Sequence, residues 1–180
     1  GKERIKPMKT EVYERLKELH DKYGPQEFGK LCQKFLAIGF RLAGYSHIVE
    51  RGVQGVDVDA AGEKGEKYSI EVKTTTKKSV NFEQKDVDGL QKRKKDGYQG
   101  VLAVLRLDRF SDWIFAKADR IKVGTVFIDS LRPYRLHELE RCICPLIDKA
   151  IDEHFDGTMR EAQRYLDNVL RQKGIEVSSS

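Results

Sequence analysis

Gly55-Val56-Asp57-Val58-Asp59-Ala60, followed after a polar turn by Tyr68-Ser69-Ile70-Glu71-Val72-Lys73, is the stretch that decides the fold. Side chains alternate between the two faces of a strand, so Val56 and Val58 are expected on one face and Asp57 and Asp59 on the other. In the second segment Tyr68, Ile70 and Val72 share a face, and Ser69, Glu71 and Lys73 share the opposite one. The linker Ala61-Gly62-Glu63-Lys64-Gly65-Glu66-Lys67 is polar and carries two glycines, the composition of a hairpin connection. Pairing of the two strands brings carboxylates and an ammonium to one polar face. Alternation alone leaves open whether Asp57 or Asp59 is the partner of Glu71, since both point the same way.

Such a grouping has a chemical use. Adjacent carboxylates repel each other, and an oxygen-preferring divalent cation relieves the repulsion. Mg²⁺ or Mn²⁺ between them can polarise a phosphoryl oxygen and make hydroxide available from bound water. Lys73 is then placed to position that water or to offset transition-state charge. By itself a Glu-x-Lys on a strand is most simply a charge pair on a solvated face. The preceding Asp and the hairpin between them are what turn the pair into the outline of a phosphodiester hydrolase.

The pattern resembles the PD-(D/E)xK nuclease superfamily, whose core places an Asp at the start of one strand and a Glu-x-Lys on the next. Asp57, Glu71 and Lys73 occupy those places, and Gly55-Val56 stand where the superfamily name has Pro. Within the superfamily the chain is most similar to the archaeal Holliday junction resolvases. The similarity runs through Ile38-Gly39-Phe40, Asp57-Val58-Asp59-Ala60, Ile70-Glu71-Val72-Lys73, Gly97-Tyr98-Gln99-Gly100-Val101-Leu102-Ala103-Val104 and Trp113-Ile114-Phe115. It implies an α/β restriction-endonuclease-like sandwich, a mixed central sheet flanked by helices. It also implies Mg²⁺ (or Mn²⁺) held by Asp57, Glu71 and the carbonyl of Val72, with Lys73 orienting the attacking water and a 5′ phosphate as product. The family's order of Asp, apolar residue, one further residue and Ala favours Asp57 over Asp59. Branched or duplex DNA as partner, and a homodimer matching the two symmetric strands of a junction, are implied in the same way.

Mrr-type and other restriction endonucleases share this skeleton, so a duplex-cutting restriction or defence endonuclease is the alternative. A non-catalytic nucleic-acid-binding module that keeps the fold is a third reading. Intact acids argue against it, because a surface that only binds phosphate gains nothing from two adjacent carboxylates.

Upstream, Pro25 suits the first turn of a helix, and Phe28, Leu31, Cys32, Phe35 and Leu36 form an apolar stripe that stops at Gly39. Glu27 lies on or beside that stripe. Related nucleases often carry a metal-assisting Glu on this helix, although Glu27 stands one residue out of the resolvase register counted from Gly39-Phe40. The other reading of Glu27 is a first-turn acid complementing the helix dipole.

The formal net charge is +5, which favours a polyanionic partner. Basic residues concentrate directly after the motif strand, at Lys77, Lys78 and Lys85 and from Lys92 through Arg93, Lys94 and Lys95. Lys77, Lys78, Lys92 and Arg93 are the expected phosphate contacts, although Glu83, Asp86, Asp88 and Asp96 dilute the run.

The remaining pattern predicts helices over Lys9–Lys22 and Pro25–Ile38, a strand over Ser46–Glu50, a helix over Gln84–Lys95 ended by Gly97, and strands over Gly100–Leu107 and Trp113–Ala116. Two further amphipathic helices, which the small resolvases lack, follow Leu136 and break at Asp156-Gly157. The expected organisation is a nuclease core with N-terminal helices over 1–135 and a helical extension over 136–173, packed on the core or at a dimer interface. A mobile tail over 174–180 and loose residues before Met8 complete it. With 39% hydrophobic residues the chain can bury one sizeable core. No apolar run approaches the ~20 residues that span a bilayer, so a cytoplasmic, intracellular protein is expected. The three cysteines and four histidines lack zinc-ligand spacing.

Overall fold

A computed structural model describes residues 9–51 and 55–178. The expectation of loose residues before Met8 lies outside that range, as do the last two residues of the expected tail. Helix α1 (Thr10–Leu42) is two helices joined at Gly24, where φ is +83° and Pro25 begins the second. Strands β1 (His47–Arg51), β2 (Val58–Ala61), β3 (Lys67–Thr75) and β4 (Ser79–Phe82) precede α2 (Gln84–Lys94). Then come β5 (Gln99–Arg106), β6 (Ile114–Lys117), β7 (Gly124–Phe127), a 3₁₀ segment (Ile128–Tyr134), α3 (His137–Glu161), α4 (Gln163–Gln172) and β8 (Glu176–Ser178).

Six strands form one mixed sheet in the order β6-β5-β3-β2-β1-β8. β3 pairs antiparallel with β2 and parallel with β5, and β5 is antiparallel to β6. β4 and β7 make a separate two-stranded ribbon. β5 is buried from Gly100 to Arg106, as its near-continuous apolar sequence requires. Its Val101, Ala103 and Leu105 join a core built on α1, α3 and α4, while Leu102 and Val104 join a second core beneath α2 and the ribbon. The sandwich and the mixed sheet flanked by helices are therefore as expected. No helix among the described residues is long and apolar enough to cross a membrane.

Four expectations are corrected. Val56 and Val58 do not share a face: Val56 lies in the core under α2 and Val58 in the core under α1. Regular pairing of β2 starts only at Val58, and Gly55 (φ +87°) and a bend at Asp57 break the alternation before it. The second half of α1 does not stop at Gly39 but runs on to Leu42. Likewise α3 passes straight through Asp156-Gly157 and ends at Ala162, whose φ is +52°. Both glycines mark close approach rather than helix ends. A Cβ on Gly39 would sit 2.7 Å from Ile147 Cγ1 of α3, and one on Gly157 would sit 2.2 Å from the Tyr165 ring of α4. Finally, residues 175–178 of the expected tail are anchored: Ile175 is buried and β8 pairs parallel with β1. The strands β4, β7 and β8 have no counterpart in the expected order of elements.

Candidate active site

β3 carries Glu71 and Lys73 on the face that lies toward α2, the same face as Leu102 and Val104 of the adjoining strand. Asp57 comes to them from the bend before β2. Its Oδ2 accepts the Val72 N–H at 2.7 Å. The pairing of β2 with β3 ends at Val58 opposite Ile70, so Asp57 satisfies a backbone donor that the strand has left behind. A strand residue projects its N–H and C=O from the same edge, which turns the Val72 carbonyl toward the Asp57 flank as well. The backbone of Asp57 is held in turn. Its carbonyl accepts the Arg51 N–H at 2.8 Å and, at 3.3 Å, Nε2 of Gln33 from α1, which also reaches the Arg51 carbonyl and the buried Glu50.

A third carboxylate completes the cluster. Asp86, at the third position of α2, accepts the Glu83 N–H at 2.9 Å in a capping box and ion-pairs with Lys73 Nζ at 2.9 Å. Lys73 Nζ lies 3.9 Å from Glu71 Oε1. Three carboxylates, Asp57, Glu71 and Asp86, thus gather around the ammonium of Lys73. Burial, then the charges of Asp57 and Asp86, push the Glu71 carboxyl up to about 10. Burial also raises Asp57 to about 6, against the pull of the Val72 N–H, the Glu71 hydrogen bond and Lys73. Burial disfavours the charge of Asp86 too, but the Glu83 N–H and Lys73 prevail and hold it below the usual carboxylate range. The crowding favours a proton shared by the Asp57–Glu71 pair, which relieves the repulsion as a cation would.

The donor set fits a hard cation. Mg²⁺ commonly takes one or two carboxylates and keeps several waters, and Asp57, Glu71 and the Val72 carbonyl supply that number of oxygens. Among the described residues no three His, Cys, Asp or Glu side chains are disposed to hold a metal ion alone, so water would complete any coordination here. The carboxylates open into a cleft of about 570 Å³ lined by Gly55, Asp57, Glu71 and Asp86, with Lys85, Lys92 and Lys95 along it.

Other residues singled out in the sequence fall elsewhere. Arg93 is committed to structure, paired with Asp59 at 3.0 Å and Asp96 at 2.8 Å and stacked 4.4 Å over the Tyr98 ring. Lys77 and Lys78 are exposed at the turn after β3. Glu27 does not line the cleft; its Oε2 accepts Gln163 Nε2 from α4 at 2.9 Å, and α1 packs against the opposite face of the sheet. Sequence reasoning passed over Asp86 and Gln33. The Glu83-to-Asp86 spacing at the start of a predicted helix was a usable sign of an acid at the third helical position, but nothing local aimed it at Lys73. No local signal marks Gln33.

No protein-family profile matches the chain, and no curated protein matches it. Among solved structures the fold is similar to that of Hjc, a Holliday junction resolvase from the archaeal hyperthermophile Archaeoglobus fulgidus, with a TM-score of 0.51 and 16% identity. The match covers 63% of this chain and 95% of that one. At that identity the likeness is one of fold.

Proposed function

We propose that this chain is a divalent-metal-dependent DNA endonuclease that hydrolyses phosphodiester bonds, selective for branched DNA and acting as a homodimer. The observation that carries the reading is the surplus of carboxylate around Glu71, hooked to the Val72 amide by Asp57 and opening into a lysine-lined cleft. The fold shared with a Holliday junction resolvase supports it. In this reading Asp57, Glu71 and the Val72 carbonyl would hold Mg²⁺ or Mn²⁺. When bound, the cation supplies positive charge to a phosphoryl oxygen and acidifies a water.

This chain's own groups do the rest. Asp57, held by the Val72 amide, and Glu71, on the paired strand β3, hold their oxygens without reorganisation as charge develops. Lys73 orients the attacking water for in-line displacement, leaving a 5′ phosphate. Lys85, Lys92 and Lys95 take backbone phosphates along the cleft, and Lys77 and Lys78 extend that contact past the end of β3. Arg93 serves the fold instead, and Glu27, held by Gln163, stays outside the reaction.

The test is cleavage of labelled four-way junction, duplex and single-stranded DNA with Mg²⁺, Mn²⁺ or EDTA, by wild type and by Glu71→Ala. Metal-dependent cutting of the junction, lost in the variant, is the expected result. Preferential cutting of plain duplex replaces the resolvase-type reading with a restriction-type one. DNA bound but never cut overturns the enzyme and leaves a binding module.

A further inference from the structure

Asp86 is buried, 5% exposed, and every polar partner it has belongs either to its own helix cap or to the cluster on β3. Its Oδ2 receives two donors, the Glu83 amide at 2.9 Å and the Lys73 ammonium at 2.9 Å. The first of these fixes the carboxylate rigidly, since both groups belong to the same helix start. The second transmits that rigidity to Lys73, whose four-carbon stem otherwise leaves the ammonium several rotamers to explore. Among the described residues Asp86 is the carboxylate within hydrogen-bond reach of Lys73, which is 21% exposed; Glu71 stands off at 3.9 Å and Asp57 acts on the ammonium through its charge. Its Oδ2 already holds two donors, which leaves that oxygen poorly placed to add a ligand to a cation.

We infer that Asp86 is a positioning residue: anchored by the capping box of α2, it holds the Lys73 ammonium beside the Asp57–Glu71 pair. The inference rests on the nuclease reading for its consequence in catalysis, but the geometry it asserts stands apart from that reading. α2 is then more than a wall of the cleft, because its first turn sets where the essential ammonium sits. A misplacement of a reacting group by an ångström is enough to cost about 10²-fold in rate.

Asp86→Asn separates the roles, since its amide oxygen still accepts the Glu83 N–H while its charge on Lys73 is gone. The expected result is a fall in kcat of ~10–100-fold, with KM for DNA and the Mg²⁺ concentration for half-maximal rate unchanged and the melting temperature kept. Asp86→Glu, which preserves the charge and suits the third helical position, is expected to recover part of the rate. An Asn variant as active as wild type shows a helix cap and nothing more, and overturns the inference. So does a variant whose rate returns at high Mg²⁺, which would make Asp86 a ligand. A readout independent of cleavage is ¹⁵N-lysine NMR. Wild type is expected to show a Lys73 ammonium signal protected from solvent exchange, and Asp86→Asn to lose it. Absence of that signal in wild type overturns the inference even where DNA is cut, and its presence upholds the placement of Lys73 even where the nuclease reading fails.

Discussion

Asp57 and Asp59 stand two residues apart in the same segment, yet their surroundings are opposite in charge. Asp59 is 1% exposed and neutralised by Arg51 at 2.7 Å and Arg93 at 3.0 Å, with the Ser69 hydroxyl donating to it at 2.8 Å. Asp57 receives a backbone amide and otherwise sits among Glu71 and Asp86, with the nearby ammonium of Lys73 tied to Asp86. A buried carboxylate that serves the fold is given its cations by the chain. One whose neighbours are also acids is stabilised only by a proton or by a cation taken from solution. The contrast separates a structural acid from a candidate catalytic one where strand alternation alone does not.

The strongest way to break the comparison is to remove the acids on the cleft side. Glu71→Gln and Asp57→Asn are each expected to lower metal-dependent cleavage by about 10²–10³-fold while the protein stays folded, measured as single-turnover rate and circular dichroism together. Equal loss on Asp59→Asn would erase the distinction.

The same acids should set a pH dependence. Glu71 in the fold titrates near 10 against an ordinary 4.5, so between those values the native protein binds the extra proton. The stability that Glu71 contributes to the metal-free protein is thus complete below the ordinary Glu range and falls as pH rises toward 10, by at most about 1.4 kcal/mol per pH unit for one proton. Urea unfolding in EDTA from pH 5 to 9 is expected to show this slope in wild type and a shallower one in Glu71→Gln. A flat wild-type profile would mean that the carboxylates are not crowded.

On the other side of the comparison, Asp59→Ala is expected to destabilise by roughly 3 kcal/mol, since it takes the buried carboxylate from Arg51 and leaves Arg93 with only the exposed Asp96. Cleavage per folded molecule should survive, and urea midpoints with activity titrated against the folded fraction would test both halves. A smaller effect sharpens the basic side. Replacing Lys92 by Ala should reduce the salt slope of DNA affinity by about 0.9, whereas Arg93→Ala should change stability more than slope. Smallest of all, Glu27→Gln is expected to leave the cleavage rate within about twofold, as for a residue outside the chemistry.

Much of this was legible along the chain because it is local. The hairpin, the buried strand β5, the break at Gly24-Pro25 and the shared face of Glu71 and Lys73 follow from period-two and period-3.6 patterns and turn chemistry. Misreadings arose where a residue type has two physical uses. Gly39 and Gly157 read as helix ends, yet each is a place where another helix comes too close for a side chain. Val56 read as the start of an alternation that a positive-φ glycine and a bend interrupt. β8 was unreadable as a strand because three residues gain their hydrogen bonds only from the exposed edge of β1.

The sequence by itself determined which residue types were present for the proposed metal-assisted chemistry and on which face of β3 two of them lie, since alternation is a property of one strand. Tertiary structure decided which aspartate joins them and which cations remain free for a ligand. It drew Arg51 and Arg93 to Asp59, aimed Asp86 from a separate helix at Lys73, and turned Glu27 to α4. The reason is electrostatic and geometric: partners within hydrogen-bond reach come from elements far apart in the chain, and only packing sets those distances.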